Sequence, residues 1–148
     1  MEDLRVDDHV VFSYVPMCGH CLFCATGRPA LCEKGGAANV AGTLLSGHRR
    51  FKNEDEGLLN HHLGVSAFSR FTVAAQESLV KVDPTLSLET AALFGCAVMT
   101  GVGAVLNTAQ VRPGTSVVVF GLGGVGLSAV LGGRAVGAYP LIAVDVLD

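Results

Sequence analysis

Four cysteines fall within the stretch CGHCLFCATGRPALC, residues 18–32, separated by gaps of two, two and seven residues. Thiolates so spaced can surround one Zn²⁺ tetrahedrally, because each two-residue gap folds as a tight turn around the metal. A site closed by four sulfurs leaves no position for water or substrate, so Cys18, Cys21, Cys24 and Cys32 would staple a loop rather than catalyse. A CxxCxxC run also occurs in iron–sulfur proteins, but there a further cysteine follows after three residues and precedes proline. Here it follows after seven and precedes Glu33. Disulfides suit an oxidising compartment, and a redox CxxC uses two thiols rather than four. A nucleic-acid zinc ribbon would carry more basic neighbours than Arg28 and Lys34. Structural zinc fits the spacing best, with these alternatives open.

A second chemical signature lies in VVVFGLGGVGLSAV, residues 117–130, where Gly121, Gly123 and Gly126 form GxGxxG between a strand-like run and a helix-like one. Gly121 permits a tight turn, Gly123 admits a pyrophosphate to the backbone, and Gly126 lets helix and strand pack closely. The helix start then offers free N–H groups to phosphate. Asp145 follows 24 residues after Gly121, at the end of LIAVDV. A carboxylate there accepts hydrogen bonds from an adenosine ribose and repels a 2′-phosphate, which favours NAD over NADP. The plainer alternative is a glycine-rich packing turn with an ordinary strand-end aspartate.

The elements needed to hold these residues are readable in outline. Residues 6–15 (VDDHVVFSYV) read as a strand entering the cysteine loop, and 69–75 and 78–83 carry strand-like composition, the latter ended by Pro84. Residues 35–47 are glycine-rich and 49–57 charged, so both read as exposed loop. The first half is thus β- and loop-rich, consistent with a barrel-like domain. Residues 87–109 read as mostly helical, with Ser87 and Glu89 as start signals. Residues 111–146 then read as turn, strand, turn, helix, turn, strand, a βαβ unit. The change in texture sets a domain boundary near residue 96 or 97.

Composition narrows the function classes. Half of the 148 residues are hydrophobic and 16% are charged, so the chain is not of disordered type. A net charge of −3 argues against nucleic acid as partner. Residues 90–111 and 113–133 are uncharged and long enough for a membrane hairpin, but the glycine density and the polar Asn107, Thr108 and Gln110 argue against insertion. The start, MEDLRVDDHV, shows no signal peptide, which places clustered thiols in a reducing, cytoplasmic setting.

A four-cysteine lobe ahead of a dinucleotide turn, with LFGCAVMTGVGAV (93–105) between them, resembles the zinc-dependent medium-chain alcohol dehydrogenases over essentially the whole chain. The resemblance implies α/β plus β architecture: a partial GroES-like β-barrel catalytic domain with a structural zinc lobe in residues 1–96, and the first βαβ unit of an NAD-binding Rossmann domain in residues 97–148. It implies structural zinc on Cys18, Cys21, Cys24 and Cys32, and a separate catalytic zinc with Cys96 as one ligand. Thr100 would lie against the nicotinamide, and Gly121, Leu122, Gly123, Gly124, Val125, Gly126 and Asp145 would bind the cofactor. The implied reaction is hydride transfer between a small-molecule alcohol or aldehyde and NAD, with homo-oligomers expected of the full-length enzyme.

The departures are equally specific. In the family the other catalytic-zinc ligands lie upstream of the lobe, and His9, His20, His48, His61 and His62 do not occupy those positions. His61 and His62 match a strand start that is not a ligand, and read as structural. The expectation is therefore a fragment with little or no dehydrogenase activity alone. Within the family, the glutathione-dependent formaldehyde branch commonly carries arginine four residues after the last lobe cysteine, where this chain has Gly36. That favours a general alcohol dehydrogenase. The reading from another class is a non-catalytic, zinc-stapled nucleotide-binding module.

Overall fold

The computed structural model describes residues 4–147, so the part of the leader reading that rests on residues 1–3 lies outside the described residues. The chain forms two compact units, Met1–Thr85 and Leu86–Asp148.

In the first unit, strand β1 (Val10–Phe12) precedes the cysteine loop, which holds α1 (Leu22–Ala25), a 3₁₀ turn (Pro29–Leu31) and α2 (Glu33–Ala41). Two short strands, β2 (Phe51–Lys52) and β3 (Leu58–Leu59), form a hairpin, and β4 (Leu79–Lys81) returns antiparallel to β1 with Phe12 opposite Leu79. Lys81 Nζ sits 2.7 Å from Asp8 Oδ1 just beyond that ladder. The hydrogen bond from Lys81, with another from the Arg5 N–H, holds the Asp8 carboxyl below its ordinary value.

Three expectations for this unit need correction. Residues 33–41 are helix, not exposed loop: the Cys32 sulfur accepts the Gly35 N–H at the helix start, and Gly42 closes the end in the left-handed conformation. The cap, which composition does not reveal, outweighs two helix-weakening glycines. The charged stretch 49–57 is a hairpin whose turn is closed by the Gly57 N–H donating 2.6 Å to Asn53 Oδ1. Residues 69–75 form no strand; local side-chain bonds compete with a ladder here, the Ser69 hydroxyl donating to the carbonyls of Ser66 and Phe71, and Thr72 Oγ1 to that of Val65. Among the described residues, β1–β4 and β2–β3 remain separate two-stranded sheets.

The second unit opens with one long helix, Leu88–Thr108. Ser87 Oγ caps it by accepting the Thr90 N–H at 3.2 Å. Its course alternates between α-helical turns, α3 (Leu88–Ala91) and α4 (Met99–Gly103), and wider π-helical turns over Phe94–Val98 and Ala104–Thr108. The widening shows in the bonds from Val98 N–H to Leu93 O and from Ala109 N–H to Ala104 O, each spanning five residues. Then follow β5 (Val117–Phe120), α5 (Gly124–Ala135) and β6 (Leu141–Val144), with β5 and β6 parallel and Val117 opposite Leu141, the βαβ unit expected.

The long helix, with a mean hydropathy of 1.6, is apolar and long enough by length and composition to cross a membrane. Its small residues have another use within this unit. A Cβ at Gly101 would run into the Val125 carbonyl and Ser128, so α4 and α5 touch backbone to backbone. This packing places the helix carrying Cys96 with α5 in the second compact unit.

Candidate metal centre and glycine turn

The cysteine loop is wound so that the four sulfurs of Cys18, Cys21, Cys24 and Cys32 lie within 4.8 Å of one another. Sulfurs about 2.3 Å from a tetrahedral zinc are about 3.8 Å apart, so the nest needs only a small contraction to close on an ion. Backbone N–H groups already point at the sulfurs. Cys18 N–H and Gly35 N–H each donate to Cys32 Sγ at 3.3 Å, and Cys21 N–H to Cys18 Sγ at 3.4 Å.

These contacts sort the thiols. Donation from the Cys24 and Glu33 N–H groups brings Cys21 down to about 6. Burial works against Cys32, but the Cys18 and Gly35 N–H groups outweigh it and hold that thiol below its ordinary value. Burial, followed by crowding from the other sulfurs, pushes Cys24 up to about 11. Four thiolates this close repel one another, and a soft cation at their centre would let all four ionise together. The donor set and its spacing fit Zn²⁺. Just outside it, Lys34 Nζ lies 2.7 Å from His20 Nε2, a contact the sequence did not disclose.

At the glycine turn, Gly121 leaves β5 with φ +86°, and its N–H donates 2.8 Å to the Val144 carbonyl of β6. A Cβ at Gly126 would collide with the Gly121 carbonyl, so the first turn of α5 sits directly on the strand end. Gly123, in extended conformation, stands at the head of the helix with no side-chain cap. No atom lies within 4 Å of where its Cβ would be. This leaves open space at the helix N-terminus, beside Gly124 and Val125, the fit a phosphate requires.

Asp145, just past β6, reaches back to the turn: its Oδ2 accepts the Leu122 N–H at 2.5 Å and its Oδ1 accepts the Val146 N–H at 2.7 Å. The Leu122 N–H, then those of Leu147 and Val146, hold the carboxyl below its ordinary value. The sequence placed Asp145 near this turn by motif spacing but gave no sign of its bond to Leu122.

Cys96 and Thr100 are exposed on the long helix, Cys96 in its first π-helical stretch. The neighbouring Ala97 Cβ lies 3.4 Å from the Cβ position of Gly124, so this part of the helix rests against the start of α5. Among the described residues, the only group of three or more Cys, His, Asp or Glu able to share an ion is the lobe. Cys96 stands outside it. His61 is 3% exposed and accepts the Arg50 N–H on Nε2 at 3.1 Å. His62 lines an open groove of 370 Å³ with Phe51, Ser66, Phe68, Ser69 and Phe71.

No protein-family profile matches the chain. A curated S-(hydroxymethyl)glutathione dehydrogenase of Synechocystis sp. is 45% identical over 142 residues, 96% of this chain and 38% of that protein. An alcohol dehydrogenase class-3 of Caenorhabditis elegans is 42% identical over 95% of this chain and 36% of its own length. Among solved structures, an alcohol dehydrogenase zinc-binding domain protein from Burkholderia ambifaria matches with a TM-score of 0.88 at 37% identity, covering 99% of this chain and 40% of that one. A benzyl alcohol dehydrogenase from Acinetobacter calcoaceticus matches with a TM-score of 0.79 at 35% identity, over 98% and 38%. The chain therefore spans well under half the length of the relatives it matches.

Proposed function

We propose that this chain, similar in sequence and fold to a segment of the zinc-dependent alcohol dehydrogenases, supplies the structural zinc lobe and the start of the dinucleotide site of such an enzyme. The carrying observation is the coexistence of a closed four-sulfur nest with a glycine turn that leaves a helix N-terminus open. We read β1–β4 and β2–β3 as parts of a GroES-like barrel, β5–α5–β6 as the opening of a Rossmann sheet, and the domain junction as lying at residues 96–97.

In this reading Cys18, Cys21, Cys24 and Cys32 hold zinc and keep the loop folded, with no position left for substrate. The α5 N–H groups face the pyrophosphate, with Gly121, Leu122, Gly123, Gly124, Val125 and Gly126 shaping its bed. Asp145, kept ionised by the Leu122 N–H, accepts ribose hydroxyls and disfavours a 2′-phosphate, so NAD is the cofactor. Cys96 contributes one thiolate and Thr100 a wall beside the nicotinamide. When bound, a catalytic zinc and NAD supply polarisation of an alcohol oxygen and acceptance of hydride. A thiol outside any group of three ligating side chains among the described residues does not make a catalytic zinc site, which needs three protein ligands. The chain as given is accordingly expected to bind nucleotide without oxidising alcohols.

For substrate, Gly36 is exposed and presents no cation to a glutathione carboxylate, which favours a general small alcohol or aldehyde. The names of the curated relatives favour a second reading, the glutathione adduct of formaldehyde. The clustered thiols suit the reducing cytoplasm.

Elemental analysis with calorimetric NAD⁺ titration tests the proposal. One zinc per chain, no iron, and NAD⁺ binding tighter than NADP⁺ are expected. Iron in the lobe, or no affinity for either nucleotide, would overturn it.

A further inference from the structure

Of the five histidines, His61 is the one buried, and the proposed chemistry makes no use of it. Its backbone N–H donates 2.9 Å to the Gly42 carbonyl at the end of α2, and its ring lies 4.7 Å from that of Phe51, tilted by 40°. Nε2 accepts the Arg50 N–H, which fixes the proton on Nδ1 and makes the ring neutral. Nδ1 is buried without a partner. The His61 ring thus ties the start of the β2–β3 hairpin to its return, while its backbone N–H holds the end of α2.

The geometry points to His61 as a proton-operated latch: charging the ring puts a donor where Nε2 must accept, so the Arg50 bond breaks and the two ends of the hairpin are no longer tied through the ring. The charges facing the ring are both positive. The Arg49 guanidinium is anchored by Asn60 Oδ1 and the Ala41 carbonyl, each at 2.7 Å, and Arg50 supplies the latch's donor through its backbone N–H. Burial first, then Arg49 and Arg50, hold His61 below its ordinary value. A lowered histidine contributes stability that is fully present above the ordinary value, about 6.5, and is lost as pH falls through the lower folded value.

The test is NMR on the intact chain between pH 8 and pH 4, following the His61 ring nitrogens together with amide protection factors. We expect Arg50 protection to fall, by roughly tenfold for the loss of about one hydrogen bond, at the pH where the ring charges. Val117 and Val119 in the parallel ladder should remain protected there. Arg50 protection that persists on a charged ring would overturn the latch, and so would protection lost while the ring is still neutral. His61→Gln, whose amide oxygen accepts from Arg50 without titrating, should remove the pH step. If that variant folds and the step remains, another group is responsible. Because the readout involves neither metal nor nucleotide, its failure leaves the dehydrogenase reading standing, and the converse holds.

Discussion

The cysteine lobe and Cys96 use the same atom in opposite ways. Four lobe sulfurs come from fifteen consecutive residues and meet within 4.8 Å, with backbone N–H groups already turned toward them. Cys96 lies on a long helix, exposed, and belongs to no group of three or more metal-ligating side chains among the described residues. A site built from one short loop is complete wherever that loop folds. A site whose ligands come from distant segments exists only when those segments are present together. The glycine turn falls between the two, since β5, α5 and β6 close the turn locally while leaving space at Gly123 for a group from outside.

The largest effect expected is at the lobe. Removing zinc with a chelator, or replacing Cys32 by serine, should take the chain from one zinc to none and unfold residues 18–42. Apparent binding energies of about 10–16 kcal/mol for structural zinc in small domains set the scale. Metal content and amide exchange of Gly35 and Gly36 check this. A lobe that stays protected without metal would mean that its own packing, not the ion, holds it.

Next comes the turn. Gly126→Val forces a side chain into the Gly121 carbonyl, so the helix must move off the strand end. We expect a cost of about 1–3 kcal/mol in the second unit and loss of measurable NAD⁺ binding, with zinc content unchanged. Calorimetry alongside thermal unfolding separates the two consequences. A variant that lost zinc as well would show that the lobe is less self-sufficient than its geometry indicates.

These contrasts follow what the sequence made legible. The lobe and the glycine turn were readable because each is set by spacing within a short window, and the βαβ unit because strand, turn and helix signals alternate in order. The α2 helix was not, because it depends on the Cys32 sulfur serving as a cap, a role composition assigns to Ser, Thr, Asp or Asn. The missing strand at 69–75 turns on hydroxyls of Ser69 and Thr72 that satisfy nearby carbonyls, and such local competition leaves no periodic mark. His61 gave no signal beyond a pair of histidines. Its latch exists because a hairpin twelve residues long brings Arg50 back to its ring.

A smaller effect is expected at Asp145. Its carboxyl lies below its ordinary value, so its hold on the turn is fully present above the ordinary carboxylate range and fades as pH falls through the lower folded value. The Leu122 amide resonance should follow that titration. Asp145→Asn should narrow the preference for NAD⁺ over NADP⁺ while leaving the fold intact. A preference that does not change would move specificity to another residue.

The smallest effect, and the sharpest test of the opening contrast, is Cys96→Ser. If Cys96 holds no metal in this chain, the variant should keep one zinc, the same unfolding temperature and the same NAD⁺ affinity as the parent, since the thiol is exposed and serine differs from it by one atom. A fall from two metals to one would show that Cys96 has recruited ligands from another copy of the chain or from solvent. The chain would then carry a second metal site, and its turnover of alcohols would have to be measured with that site loaded. With metal content unchanged, the lobe alone accounts for the ion, and the difference between a locally built site and a dispersed one holds at the level of a single sulfur.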